Sequence, residues 1–349
     1  MKPNRQIVIV LISVIPGIIA FLGFNLFYAV YSIFGFSLIL KTVLLILSLA
    51  FLSVFILGLV ALARTKTTTR ERIKYIGTIT LAAIICGWIT LIGVVYIMKY
   101  DVFYSNSSIR PKLSKQIQQK PENFEKIAIK TPDKIMLQGF LAKRSHSAKS
   151  PLAIYFGGRG EEASNIAEYA EKIKGWSLAF INYRGCGLSE GRQAENILFS
   201  DAVAVYDYFT GREDIDSKNI AIISHSLGTG VAIHLATERE VKGIVLSAPY
   251  DTYGTGVIQD KLPLVPASLL FTDVFDSVSV APSVKTPAIF LLAEKDRTVY
   301  RKRSLKLLEN WGGKAEKATI PGTHHESITI NDVSWERINE FLESIIKME

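Results

Sequence analysis

Three long uncharged runs open the chain: Gln6–Leu40, Thr42–Ala63 and Tyr75–Met98. A helix needs about 20 apolar residues to cross about 30 Å of hydrocarbon, and each run is long enough. The pattern predicts spans at residues 7–29, 42–63 and 75–98, with Tyr31–Leu40 as an interfacial link. A cleaved leader would have an apolar core of about 7–15 residues; the first run overshoots that, and two more follow it. Residues 101–121 are polar and read as a linker, a loop or short helix joining this anchor of residues 1–100 to a second domain at 122–349.

The pattern changes at Phe124. Phe124–Lys130 and Met136–Ala142 flank a turn-like Thr131-Pro132-Asp133-Lys134 and predict a β-hairpin. Short apolar runs then alternate with segments of helical spacing. Strands are expected at Leu152–Phe156, Leu178–Asn182, Ile220–Ile223, Gly243–Ser247, Ala288–Ala293 and Lys317–Ile320. Helices are expected at Ala163–Lys174, Phe199–Phe209, Thr229–Glu238, Tyr300–Asn310 and Trp335–Lys347. Buried strands alternating with helices define an α/β class, a mostly parallel sheet with helices on both faces. Ligands of such sheets bind at the carboxyl ends of the strands.

Charge sharpens the partition. The net charge is +8, and residues 1–100 carry all of it, with nine basic residues against the single acid Glu71. The rest of the chain holds 31 basic and 31 acidic residues, so the electrostatic motive for nucleic-acid binding is missing. Five basic residues fall between Arg64 and Lys74. The positive-inside rule puts that loop and the N-terminus in the cytoplasm, and three crossings then put the second domain on the extracytoplasmic side. The spans carry no interior charge or repeat symmetry of a transporter. Two cysteines make neither a disulfide scaffold nor a Cys-rich metal site, and no metal or cofactor is expected.

Candidate chemistry sits where strands end. Ile220–Ile223 runs into Ser224-His225-Ser226-Leu227-Gly228 and then a helix, close to the G-x-S-x-G elbow that exposes a nucleophilic serine. Ser224 stands where the first glycine is usual. The amide of Leu227, at the helix N-terminus, is placed to donate to an oxyanion. By itself the pentapeptide is weak, since small polar turns are common. A serine needs a base and an orienting carboxylate, and this arrangement orders them Ser, Asp or Glu, His. Among five histidines, His225 adjoins the serine and is expected to point elsewhere, His234 lies mid-helix and His146 lies in a polar loop. His324 is assigned as base ahead of its neighbour His325, and Asp296 as the acid ahead of Glu294 and Asp276. A lone acid on a loop is ordinarily a solvated charge or a cap; three residues in order, each after a strand, favour a triad. The loop Gly157-Gly158-Arg159-Gly160 lets a ligand approach the backbone closely, and the amide of Arg159 is assigned as the second oxyanion donor. This loop lacks the spacing of phosphate and dinucleotide fingerprints.

These pieces, with Asn182–Gly191 and Glu294–Arg297, resemble the α/β-hydrolase superfamily, close to its membrane-anchored members. The resemblance covers about residues 122–349 and not the anchor. The oxyanion loop departs from it, with Gly157 where a histidine is usual. The resemblance implies an α/β-hydrolase fold and acyl transfer to water through an acyl-Ser226 intermediate, without metal or organic cofactor. Esters or thioesters of small or acylated molecules are the expected substrates, and the lipid bilayer is the expected partner. A peptidase or amidase of the same fold is the alternative, followed by a non-catalytic binding module. The region Tyr250–Pro282 often forms a lid in such proteins. Its apolar residues fit an acyl pocket, a bilayer face or ordinary core.

Overall fold

The computed structural model describes residues 68–71, 73–74, 77, 81, 85, 88, 91–93, 95–96, 98–104, 115–144 and 149–347. The expected spans 7–29 and 42–63 lie outside the described residues, and so do His146 and the start of the linker. The span at 75–98 is described only in part, at positions that are helical except Met98. Among the described residues, no helix is long and apolar enough to cross a membrane. The chain divides into two compact units. One is Met1–Val102 with Leu262–Pro266, and the other is Phe103–Lys261 with Ala267–Glu349.

Eight strands form one sheet: β1 (Phe124–Lys130), β2 (Met136–Ala142), β3 (Ser150–Phe156), β4 (Ser177–Ile181), β5 (Ile215–His225), β6 (Gly243–Ser247), β7 (Ala288–Ala293) and β8 (Ala315–Ile320). Their order is β1-β2-β4-β3-β5-β6-β7-β8. The hairpin β1–β2 joins the sheet antiparallel at β4, and the other pairs are parallel. Consequently the carboxyl ends of β3, β5, β6, β7 and β8 share one edge, and a loop leaving any of them reaches the same space.

Burial explains the sequence pattern. β4, β6 and β7 are buried at every position and read as continuous apolar runs. β1 has one face on the core, so its buried and exposed positions alternate after Glu125. At the far edge, β8 exposes Glu316 and Lys317, charges that discourage pairing with another chain. Helices α1 (Glu195–Thr210), α2 (Leu227–Glu238), α3 (Arg301–Glu309) and α4 (Asp332–Ile346) cover the sheet. Segment Ala163–Lys172, within the helix expected at Ala163–Lys174, is a 3₁₀ helix. Its buried residues Ala163, Ser164, Ile166 and Ala167 repeat every three positions, the period of that tighter helix.

Two features brace the functional edge from behind. Arg184, buried after β4, makes bidentate contacts with Asp201 (2.6 and 2.7 Å) and Asp133 (2.6 and 2.8 Å). This ties the β1–β2 turn to α1 through the glycine-rich Tyr183–Gly191 segment. Phe103 lies on Tyr253, Phe271 and Phe275 at ring distances of 5.0–5.8 Å, and the Tyr104 hydroxyl donates to Asp273. These two residues, assigned to the linker from sequence, are core. The Tyr250–Pro282 region is a series of short helical turns with Tyr250, Tyr253, Phe271 and Phe275 buried, while Leu269 is 81% exposed.

Candidate active site

β5 ends at His225 and α2 begins at Leu227, leaving Ser226 alone to reverse the chain. Its φ of 49° and ψ of −118° lie where few side chains go. The turn is held by Ser226 N–H donating to Ser247 O (3.0 Å), and by the Thr229 amide and hydroxyl donating to Ser226 O (2.9 and 2.7 Å). Gly228 is obligatory, because a Cβ there would stand 2.2 Å from Phe156 O and 2.6 Å from Gly157 O. Ser224 in place of a glycine fits without strain, its hydroxyl donating to Val245 O at 2.8 Å. The elbow is therefore built with one glycine rather than two.

The base is where the structure corrects the sequence reading. His325 Nε2 lies 2.8 Å from Ser226 Oγ, and its Nδ1 lies 2.8 Å from Asp296 Oδ2. His324, assigned from sequence, does not reach the serine. It is exposed, its ring faces Lys295 O at 3.3 Å, and its amide donates to Ser327 Oγ. Consecutive side chains leave the loop in different directions. Gly322, at φ +71°, and Thr323, whose hydroxyl donates to Ile320 O, set the turn so that residue 325 faces the sheet edge.

Asp296 follows β7. Its Oδ1 accepts the Thr298 and Val299 amides at 2.8 and 2.9 Å, leaving Oδ2 for the imidazole. Burial pushes this carboxyl up, but the His325 ring and the two amides outweigh it and hold it below the ordinary carboxylate value. The two rival acids have other roles. Glu294 accepts the Gly322 amide at 2.7 Å, and Asp276 caps a short helix through Ser279 N.

Of the assigned oxyanion donors, Leu227 occupies the first turn of α2, where amides have no acceptor within the helix. Arg159 follows Gly158 in the loop after β3. The Gly158 amide donates to Glu161 Oε2 at 2.7 Å, and a Cβ on Gly158 would press on the His225 ring. Glu161 thus anchors the loop in which Gly157 stands where a histidine is usual. The sequence reading named neither Glu161 nor a role for His225, whose ring lies 3.4 Å from Glu161 Oε2 and 3.1 Å from His325 O. The one available signal was an acid directly after the glycine loop. Among the described residues, no cluster of His, Cys, Asp and Glu is arranged to hold a metal ion.

An eight-stranded, mostly parallel sheet, with a strained serine between β5 and α2 and an Asp–His pair reaching it from later loops, is the α/β-hydrolase fold. The comparisons point the same way, as likeness in sequence and fold. Residues 149–280 match the family model described as "Serine aminopeptidase, S33". The chain is 27% identical over 221 residues to an uncharacterized protein of Mycobacterium tuberculosis, covering 62% of this chain and 78% of that one. It is 26% identical over 289 residues to Protein bem46 of Schizosaccharomyces pombe, covering 77% and 93%. In fold it is similar to the Pyrococcus furiosus esterase Pf2001, with a TM-score of 0.55, 17% identity and coverage of 68% and 97%.

Proposed function

We propose that the chain is a membrane-anchored serine hydrolase that cleaves an ester or thioester through an acyl-Ser226 intermediate. The observation that carries this reading is the pair of 2.8 Å contacts joining Ser226 Oγ, His325 and Asp296. His325 Nε2 takes the hydroxyl proton as Oγ attacks the acyl carbon, and Asp296 keeps the other ring proton on Nδ1. The amides of Leu227 and Arg159 receive the oxyanion. His325 then gives its proton to the leaving group, and the same steps with water as nucleophile release the acid. Each step needs only side-chain and backbone groups of this chain.

Labelling by a fluorophosphonate tests the nucleophile. The serine oxygen displaces fluoride and remains bonded to phosphorus. Wild type is expected to label and Ser226→Ala not at all; persistent labelling of the alanine variant would reject Ser226. Rates on p-nitrophenyl esters of graded chain length, beside aminoacyl nitroanilides, separate the substrate classes. The matched family description favours the anilides as the second reading.

The anchor rests on the three uncharged runs and the basic 64–74 loop. A tethered site favours lipid-like or acylated substrates presented at the bilayer. The full chain is expected to stay in the membrane pellet after alkaline carbonate washing. Ser107→Cys is expected to react with an impermeant thiol reagent on intact cells. Release into the supernatant would refute the anchor, and protection of the thiol would reverse the orientation.

A further inference from the structure

Beside the Ser226–His325–Asp296 array lies a second acid–histidine pair that the chemistry above leaves unused. We propose that Glu161 and His225 form a positioning ion pair that locks the base loop and the oxyanion loop to the elbow, an inference that rests on the acyl-serine reading. Neither residue touches the reacting atoms.

The geometry is that of a clamp. Glu161 Oε1 accepts the Tyr155 hydroxyl at 2.7 Å, and Oε2 accepts the Gly158 amide at 2.7 Å. The same Oε2 faces His225 Nδ1 at 3.4 Å, while His225 Nε2 lies 3.1 Å from the carbonyl of His325. Three segments meet in this way: the loop after β3, the elbow after β5 and the base loop after β8. Both ring nitrogens of His225 face oxygen acceptors. Only the doubly protonated ring donates to both; a neutral ring, in either tautomer, would turn a lone pair toward one of the two oxygens. The imidazolium grips the backbone of the residue whose side chain serves Ser226, so it sets where His325 Nε2 stands.

The surroundings support the charged pair. Burial disfavours the His225 cation, but Glu161 outweighs that and Glu326 adds to it, so the ring stays protonated above its ordinary value of 6.5. Burial likewise raises Glu161, and His225, the Gly158 amide and the Tyr155 hydroxyl outweigh it, holding it below 4.5. The other titratable groups facing the pair are the His325 ring, 5.0 Å away between centroids, and the phenols of Tyr155 and Tyr183, which burial keeps neutral. A raised histidine stabilises the fold below its unfolded value and loses that effect as pH rises through its folded one. A lowered carboxylate stabilises above its unfolded value and loses that effect as pH falls through its folded one. The two contributions coexist between 4.5 and 6.5.

Two variants of the full chain test the clamp, Glu161→Gln and His225→Gln. Fluorophosphonate labelling is expected to show the maximal inactivation rate falling about ten- to a hundredfold in each. The half-saturating probe concentration is expected to stay within about twofold, because the clamp orients the base and does not bind the ligand. The double variant is expected to lose little more than either single one, as partners in one contact do. The stability lost by each variant, from melting at several pH values, is expected to be largest between 4.5 and 6.5. Unchanged inactivation rates, additive losses, or a stability loss independent of pH would each overturn the proposal. Should His225→Gln fail to fold, Glu161→Gln, equal in shape to the native side chain, carries the same test. A wild type that does not label at all refutes the acyl-serine reading itself, whereas a wild type that labels with variants that label equally fast refutes only the clamp.

Discussion

Replacing His325 by alanine is expected to lower the rate of acyl transfer by about four to six orders of magnitude, and replacing His324 by less than about threefold. The first loss corresponds to about 5–8 kcal/mol of barrier. His325 is 6% exposed, and both its ring nitrogens are engaged, one by Ser226 and one by Asp296. Its removal leaves the serine without a proton acceptor in reach, and a hydroxyl at its ordinary acidity is a poor nucleophile. His324 is exposed and contributes only contacts at the loop's outer face. The measurement is initial-rate kinetics on any ester the wild type turns over, or labelling rates where none is found. Equal losses in the two variants, or the larger loss at His324, would refute the assignment of the base.

Asp296→Asn is expected to lower the same rate by about four orders of magnitude with little change in fold. The reason is a proton in the wrong place. Asp296 Oδ1 is occupied by the Thr298 and Val299 amides, so an asparagine keeps its own oxygen there and turns its NH₂ toward His325 Nδ1. That ring nitrogen must then accept, its proton moves to Nε2, and Ser226 faces an N–H in place of a lone pair. Glu294→Gln, at a side chain that accepts the Gly322 amide and not the His325 ring, is expected to stay within severalfold of wild type. If Asp296→Asn retained more than about a tenth of the native rate, Asp296 would not be the orienting group.

The hairpin strands Phe124–Lys130 and Met136–Ala142 coincide with the segments expected on either side of the Thr131–Lys134 turn, and the one buried face of β1 writes itself into a period of two. The continuous runs of β4, β6 and β7 were equally plain. Strand ends were less so. β5 reaches back to Ile215 and forward to His225, through Asp216, Lys218 and Asn219, because its N-terminal part is exposed. Exposed strand residues leave no hydrophobic signature.

The site follows the same division. Ser226 was legible because a tight strand-to-helix reversal needs a small residue two positions later, and Gly228 meets that need in the sequence. Asp296 was legible as an acid just past a strand. The choice between His324 and His325 was not, since both satisfy the same order and the same distance from β8. It turned on the conformation of Gly322 and Thr323, which aims one ring at the sheet edge and its neighbour at solvent. Glu161 carries no local signature in the sequence, because it stands next to Glu162 in a polar loop. What separates the two acids is that only Glu161 folds back on Gly158 and His225.

The sequence by itself determined which segments are strands and helices, that chemistry belongs at their carboxyl ends, and which serine reverses the chain. These follow from local rules: side-chain period, steric demand in a turn, and the order of chemical groups along the chain. Tertiary structure alone decided which histidine meets that serine and which acid braces the loops around it. Those pairings join residues 99 and 64 positions apart, and contact at that separation depends on how the sheet stacks β3, β5, β7 and β8 side by side, which no local pattern encodes.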